Sequence, residues 1–203
     1  HHHLYLRAGA HQRDRHPARD RRIEEVLFDR EKTVSKACDL AFFAAELGNG
    51  EAAKWTSVAD RQREAMNRVL WDEDLGMFCD HDAVRDRRSD LVSAATFYPL
   101  FTKVATPEQA ARIVRHLPKL ECRWGVAASE NRNLINYQWD YPQGWACLQL
   151  VVAQGLLNYG YTADAKRIAR KYVEVADKVF SETGALWEKY DVVKGTVSVT
   201  KEY

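Results

Sequence analysis

Connections of two alternating lengths separate the helices that this sequence predicts. Apolar residues recur at three-and-four spacing in six segments. The predicted helices run over roughly 29–47, 51–70, 89–100, 106–117, 142–158 and 162–183. Short links join them in pairs at 48–50, 104–105 and 160–161, and long connections follow each pair at 71–88, 118–140 and 183–203. An up-and-down array of helical hairpins places all its long loops at one end, where we expect the functional residues.

Several residues at the predicted helix ends support these boundaries. Thr106, Pro107 and Gln109 form the pattern of a capping box with proline at the first helical position. Ser89 is the predicted N-cap of the third helix, and Thr162 that of the sixth. Gly184 lies just beyond the sixth helix, where a glycine commonly ends a helix.

The bulk composition excludes several classes of function. With 203 residues, 46% of them hydrophobic, the chain can bury a real core in one large domain or two small ones. A formal net charge of +1 gives no reason to expect a nucleic acid or an anionic membrane surface as partner. No apolar run approaches the roughly 20 residues that a membrane-spanning helix needs.

The cysteines give no metal or disulfide pattern. Cys38, Cys79, Cys122 and Cys147 form no C-x-x-C pair, which argues against a zinc site or a redox motif. We therefore expect four reduced cysteines in a cytoplasmic protein that holds no metal and no cofactor.

The first residues differ from the rest in composition. Residues 1–22 carry six arginines and five of the seven histidines, without apolar periodicity. We predict a poorly defined basic arm over residues 1–30 and one helical domain over 31–203. The chain does not start with Met, and it stops shortly after the sixth predicted helix, so both ends are expected to be cut.

Two charged stretches in the first long connection leave more than one reading. "LWDEDLGMFCD" at 70–80 is too short for a calcium loop, which needs about 12 residues, and we interpret it as a helix stop with a turn. "RDRRSD" at 85–90 is either surface charge beside a helix cap or an arginine aimed at a sugar or a catalytic carboxylate.

The stretch "QWDYPQGW" at 138–145 combines two tryptophans with one carboxylate. Proteins hold a pyranose by stacking its apolar face on an aromatic ring while a carboxylate accepts its hydroxyl protons. Trp139 and Asp140 could bind a sugar in this way. The alternative is a buried aromatic cluster in which Asp140 serves only as the N-cap of the following helix.

A second carboxylate among aromatic residues follows the sixth helix. Glu188 lies between Trp187 and Tyr190 in "LWEKYD" at 186–191. Such a carboxylate suits acid–base chemistry on a glycosidic bond.

These motifs together resemble one enzyme family. Residues 138–145 are similar to the second signature of the trehalases, glycoside hydrolase family 37, which reads Q-W-D-x-P-x-G-W. "LWEKYDVV" at 186–193, "GLLNYGY" at 155–161, "LWDEDLGMF" at 70–78 and "RRSDLVSAATFYPL" at 87–100 also resemble the family. The resemblance covers about residues 37–203.

The resemblance implies a fold and a set of site residues. The family folds as an (α/α)6 toroid, so the implied class is all-α, with about six helices forming an incomplete ring. Trehalases hydrolyse α,α-trehalose to two glucose molecules with inversion and without metal. By position, Glu188 corresponds to the general base. The implied substrate-binding residues are Gln138, Trp139, Asp140, Trp145 and Glu202, the last on a loop that closes over substrate.

Other family motifs have no counterpart in this sequence. The general acid belongs to an S-G-W-D motif and the first signature reads P-G-G-R-F, and neither occurs here. We therefore expect a truncated form that is inactive in isolation. Two alternatives are a toroid hydrolase of another α-glucoside and a non-catalytic, sugar-binding remnant. The open edge of a partial ring would favour self-association.

Overall fold

The computed structural model describes residues 27–82, 84–132 and 138–198. The α-helices in this part of the chain are α1 (Leu27–Glu46), α2 (Ala52–Leu70), α3 (Tyr98–Phe101), α4 (Pro107–Val114), α5 (Leu117–Leu120), α6 (Ala146–Asn158) and α7 (Thr162–Thr183). A short 3-10 helix, Ala94–Phe97, leads directly into α3.

Short antiparallel strands occupy the connections between the helices. They are β1 (Trp71–Asp72), β2 (Met77–Phe78), β3 (His81–Asp82), β4 (Arg87–Arg88), β5 (Glu121–Cys122), β6 (Gly125–Val126), β7 (Gln143–Trp145), β8 (Lys189–Asp191) and β9 (Thr196–Val197). Strands β1–β2, β3–β4 and β5–β6 pair in twos, and β7, β8 and β9 form one three-stranded sheet in that order. None of these strands is predictable from the sequence, because each is too short to show an alternating pattern of apolar and polar residues.

The helices form the three predicted hairpins, arranged in two layers. Helices α1, α3 and α6 contact one another in that order, and α2 and α7 pack against α1 and α6 respectively. Helix α4 lies beside α2, where Gln109 donates a hydrogen bond to Asn67 at 2.7 Å. Helices α4 and α5, separated by two residues, together form the second member of the middle hairpin.

The long connections meet at one end of this array, as the sequence predicts for their described parts. Strands β1 and β5 follow α2 and α5 directly, and β8 follows α7 after a short turn. Backbone hydrogen bonds then join successive connections. Trp124 donates to the Val192 carbonyl at 2.9 Å, and Glu130 donates to the Val92 carbonyl at 2.9 Å. This end of the molecule is therefore a continuous, hydrogen-bonded surface of hairpins.

The third helix starts later than predicted. Ser89 does not cap it, because residues 87–88 form strand β4 and the chain stays extended to Val92. Ser93 is the N-cap, and it forms a capping box with Thr96. Pro99 lies in the first turn of α3, where proline is tolerated, and α3 ends at Phe101, one residue beyond the predicted limit, so the early end expected from the proline is not observed.

The fifth helix also starts later than predicted, at Ala146 instead of Pro142. Residues 143–145 are extended because they pair with β8. The capping box of α4 is confirmed, since Thr106 and Gln109 exchange side-chain to backbone hydrogen bonds of 2.9 and 3.2 Å. The predicted N-cap Thr162 is instead the first helical residue, whereas Gly184 ends α7 as predicted, with φ 71°.

The main core lies between the two helical layers and includes Met77 and Phe78 of β2 and Val126 of β6. Its largest fully buried side chains include Phe78, Phe97, Met66, Leu100, Ile113, Leu156 and Ile168. Helix α6 approaches α3 closely at Gly155, where an added Cβ would lie 3.1 Å from the Phe101 nitrogen and 3.2 Å from the Phe97 oxygen. This close contact fixes α6, whose first residue follows the sheet that carries the candidate site.

None of the helices in the described part of the chain is long and apolar enough to span a membrane.

Candidate active site

The pairing of β7 with β8 brings the two sequence motifs together. Trp145 lies opposite Lys189 in the sheet register, and Gln143 lies opposite Asp191. Glu188 immediately precedes β8 and therefore lies next to the end of β7. The segment 138–142 precedes β7, and its first residues fold back along the same strand. The motifs that resemble one sugar site in sequence thus belong to one small sheet.

Two tryptophans of the first motif stack on each other. The rings of Trp139 and Trp145 are parallel within 4°, with centroids 4.1 Å apart. Trp145 is 3% exposed, and its indole nitrogen donates a 2.7 Å hydrogen bond to the Gln138 carbonyl. Trp139 is half-buried and therefore less enclosed than Trp145. The fold-back of 138–139 onto Trp145 is what holds this segment near Glu188.

Asp140 lies in the turn between Trp139 and β7. It is 8% exposed, and its carbonyl accepts a 2.8 Å hydrogen bond from the Gln143 nitrogen. The alternative reading in which Asp140 caps the following helix is wrong, because α6 begins six residues later at Ala146. The aromatic cluster of that alternative does exist, as the stacked pair.

Glu188 is exposed, directly before the first residue of β8. Its carboxylate lies near the thiol of Cys147, the second residue of α6. Partial desolvation raises the pKa of that thiol, and the negative charge of Glu188 raises the pKa further. Glu188 therefore lies beside the start of α6, at the same end of β7 as Trp145. Glu202 lies outside the described residues.

A second set of residues supports the loop that carries the tryptophans. The hydroxyl of Ser129, a buried residue, accepts a hydrogen bond from the Tyr141 nitrogen at 3.1 Å. Arg132 donates to Asp90 at 2.9 Å and to Glu130 at 2.8 Å. Because Glu130 also accepts from the Val92 nitrogen at 3.0 Å, the connection before the candidate site is tied to the connection that follows α2.

Sequence reasoning misses two charged residues of this region. Lys189 is 4% exposed, and its ammonium lies 4.9 Å from the centroid of the Trp145 ring. In the sequence, only its position directly after Glu188 indicates that Lys189 belongs to this region. Arg132 stands in a polar connection without any pattern, and only its partners Asp90 and Glu130 reveal its role.

The charged stretches of the first connection stabilise local structure. Asp72 accepts hydrogen bonds from the backbone nitrogens of Asp74 and Leu75 at 3.0 and 2.9 Å, so "LWDEDLG" is a helix stop with a turn, as predicted. Arg88 donates to the Val69 carbonyl at 3.1 Å and contacts Asp72. These contacts favour surface charge over a sugar-binding arginine for "RDRRSD", although the helix cap of that alternative is Ser93 and not Ser89.

Metal ligands do not cluster in the described residues. Across 27–82, 84–132 and 138–198, no group of three or more His, Cys, Asp or Glu side chains could hold a metal ion. The four cysteines are unpaired.

Comparison with known proteins shows which family the chain is similar to. The sequence model of the family described as Trehalase matches residues 23–203. A probable trehalase of Eremothecium gossypii is 38% identical over 189 residues, which cover 86% of this chain and 25% of that protein. A periplasmic trehalase of Pseudomonas aeruginosa is 35% identical over 171 residues, which cover 84% of this chain and 30% of that protein. The chain thus spans a third or less of these relatives.

Solved structures show the same architecture. Neutral trehalase Nth1 from Saccharomyces cerevisiae matches 84% of this chain with a TM-score of 0.75 and 32% sequence identity, over 34% of its own length. A mannosylglycerate hydrolase of Thermus thermophilus, from family GH63, matches 86% of the chain with a TM-score of 0.73 at 19% identity. The all-α class and the incomplete (α/α)6 toroid are confirmed.

Proposed function

Because the chain belongs to the trehalase family, we propose that it supplies part of the active site of an inverting glycoside hydrolase that cleaves α,α-trehalose into two glucose molecules. One observation carries this proposal: the β7–β8 pairing, which sets the Trp139–Trp145 stack and Glu188 side by side. A single sugar could contact both. The disaccharide is the small-molecule partner that the family implies.

In the proposed reaction Glu188 is the general base. Its carboxylate takes a proton from a water molecule, the water oxygen bonds to the anomeric carbon, and the glycosidic C–O bond breaks as a second carboxyl group protonates the leaving oxygen. The exposure of Glu188 supports this role, because a base must reach both water and the sugar. The reaction needs neither a metal nor a cofactor.

The sugar is proposed to stack on Trp139. Asp140 would accept hydrogen bonds from the sugar hydroxyls, and the Gln138 amide would donate to them. Trp145 has little exposed surface, so its contribution is made through Trp139. Glu202 is proposed, from the family resemblance alone, to belong to a loop that closes over the substrate.

Turnover requires a second carboxyl group about 6.5–9.5 Å from the first in an inverting enzyme. The family provides it from a motif that these 203 residues do not contain. We therefore propose that the isolated chain binds the sugar without hydrolysing it at a normal rate.

Calorimetric titration and a glucose-release assay on the 203-residue chain test this function together. Trehalose binding without turnover is expected, and Trp139→Ala should weaken binding at least tenfold, which corresponds to about 1.4 kcal/mol. Trp55→Ala, in α2 and remote from the site, is the matched control and should bind as the unchanged chain does. Normal turnover would contradict the proposed need for a second carboxyl group, and the absence of any trehalose binding would contradict the site itself.

The same titration with kojibiose, maltose and glucosylglycerate separates the alternatives. Preference for trehalose supports the trehalase assignment, whereas preference for another of these sugars would identify a toroid hydrolase of a different α-glucoside. Binding of all of them with equal affinity would favour a sugar-binding remnant without substrate selection.

We also propose that the isolated chain associates with a second copy of itself. Large apolar side chains are exposed along α1 and α6: Leu40, Phe42, Phe43, Leu47, Leu150 and Leu157. A complete toroid has six hairpins and the described residues form three, so α1 and α6 are uncovered where further hairpins would contact them in a ring. In a solution of this chain alone, a second copy offers the matching apolar surface.

A cytoplasmic location is proposed from the relatives. Those of Pyricularia oryzae and Saccharomyces cerevisiae are named cytosolic neutral trehalases. Cell fractionation followed by immunodetection tests the proposal, and recovery of the chain outside the cytoplasmic fraction would contradict it, as the periplasmic name of the Pseudomonas aeruginosa relative would then suggest.

A further inference from the structure

Lys189 is a buried cation for which the proposed chemistry has no role. It is 4% exposed in the middle strand of the three-stranded sheet, and it directly follows Glu188 in the chain. Removing an ammonium group from water is costly unless the protein returns compensating interactions. A lysine at such a position therefore calls for a physical reason.

The ring of Trp145 provides one compensating interaction. The ammonium of Lys189 lies 4.9 Å from the ring centroid, within the range of a cation–π contact. Trp139 already covers one face of the same ring at 4.1 Å, so the ammonium lies over the opposite face. The buried indole is thus held between a cation and a second indole, and its nitrogen is fixed on the Gln138 carbonyl.

This arrangement connects the two halves of the site. Trp139 belongs to the loop before β7, whereas Lys189 belongs to β8 and is the residue that follows Glu188 in the chain. The backbone pairing of Trp145 with Lys189 sets their strands side by side, and the cation–π contact adds a side-chain constraint on the angle of the Trp145 ring. The orientation of Trp139 follows from that ring, because the two indoles are parallel.

We propose that Lys189 is a positioning residue that orients the Trp139 ring for sugar binding through Trp145. This inference rests on the proposed sugar-binding function for its effect on affinity, but its effect on the stacked pair is independent of any ligand. The positive charge is the essential property, since a neutral side chain of similar length fills the same space without attracting the ring face.

Two substitutions at this position separate charge from packing. Lys189→Met keeps an unbranched chain of similar length and removes the charge. Lys189→Arg keeps the charge, and guanidinium groups also lie well on indole faces. Lys194→Met is the matched control, because it removes an exposed charge from the β8–β9 turn of the same sheet.

The experiment combines near-ultraviolet circular dichroism with trehalose titration of the 203-residue chain. The difference spectrum between the unchanged chain and Trp139→Ala identifies the signal of the stacked pair. Lys189→Met should lose most of this signal and bind trehalose about tenfold more weakly, while keeping its far-ultraviolet spectrum. Lys189→Arg and Lys194→Met should keep the signal and bind within about twofold of the unchanged chain.

Three outcomes decide the inference. It is overturned if Lys189→Met keeps both the stacked-pair signal and the affinity, or if a folded Lys189→Arg loses as much as Lys189→Met. If no chain binds trehalose but the spectra still separate the two variants as expected, the role in the stack stands and the proposed function fails. If Lys189→Met does not fold, Lys189→Gln takes its place under the same criteria.

Discussion

At the scale of single residues, Asp72 and Asp191 perform the same task in two different turns. The carboxylate of Asp191 accepts hydrogen bonds from the Val193 and Lys194 nitrogens at 3.0 and 2.9 Å, as that of Asp72 does from Asp74 and Leu75. In each turn the residue four positions later is a glycine that donates to the carbonyl of the aspartate at 2.8 Å. Asp191 therefore stabilises the β8–β9 turn, although it lies only three residues after Glu188.

Replacing this aspartate tests that assignment. Asp191→Ala should lower the free energy of unfolding by about 1–2 kcal/mol, comparable to the loss of a helix N-cap, because two backbone nitrogens lose their acceptor. Asp191→Asn keeps a carbonyl oxygen in the same place and should cost less than half as much. Urea denaturation measures both. Equal losses in the two variants would show that the negative charge, and not the turn, is what matters.

Glu121 predicts a pH dependence of stability. The hydrogen bond from the Arg167 guanidinium lowers the pKa of this carboxyl group below its ordinary value, partial burial opposes the shift, and Lys171 lowers the pKa further. A carboxyl group with a lowered pKa contributes stability at pH values above its unfolded pKa, and the contribution is lost as pH falls through the folded pKa. The stability difference between the unchanged chain and Glu121→Gln should therefore be larger at about pH 6 than at about pH 3.

Urea titration at both pH values measures this difference. Glu182→Gln is the matched control, since Glu182 forms an exposed ion pair with Lys178 on α7 and should contribute little at either pH. A difference for Glu121→Gln that does not change between the two pH values would contradict the assigned ion pairs.

At the scale of elements, the close contact between α6 and α3 determines how replacing Gly155 affects stability. Alanine is favoured over glycine in an exposed helix by about 1 kcal/mol. At Gly155, however, the added Cβ would lie only 3.0 Å from the Leu100 Cβ and close to backbone atoms of α3 that cannot move aside. Gly155→Ala should therefore destabilise the chain by about 1–2 kcal/mol.

Thermal or urea unfolding checks this prediction. Gln154→Ala, at the neighbouring exposed position of α6, is the control and should stay within about 0.5 kcal/mol. A Gly155→Ala chain that is more stable than the unchanged one would mean that the two helices separate readily, which contradicts the contact.

The elements also show what the sequence could predict and what it could not. Helix α2 lies within one residue of its predicted limits, and α4 starts where its capping box predicts but ends at Val114, three residues before the predicted limit. The starts at Ser93 and Ala146 could not be predicted, because strand pairing with distant residues keeps the preceding chain extended. The pairing of β7 with β8 also brings the candidate site residues together. The motifs predicted Trp139, Trp145 and Glu188 as candidate site residues, whereas Lys189 became visible only through its contact with Trp145. The division into an arm over 1–30 and a domain over 31–203 stays a prediction.

At the scale of the whole molecule, the exposed apolar side chains of α1 and α6 predict self-association. Sedimentation velocity at about 1–100 μM should show an increasing fraction of dimer, because burying several large apolar side chains is favourable. Substituting serine at both Phe42 and Phe43, which are 60% and 57% exposed, should shift the chain towards monomer. Val173→Ser, on the exposed face of α7, is the control and should leave association unchanged. A chain that is monomeric throughout this range would contradict the proposed contact.

The central claim is that the Trp139–Trp145 stack and Glu188 face one sugar. The most direct measurement is a crystal structure of this chain with trehalose. We predict one glucose ring lying against Trp139, with the Glu188 carboxylate accepting a hydrogen bond from a single water molecule that lies next to the anomeric carbon. A sugar bound away from Trp139, or bound there with Glu188 directed away from the anomeric carbon, would contradict the claim.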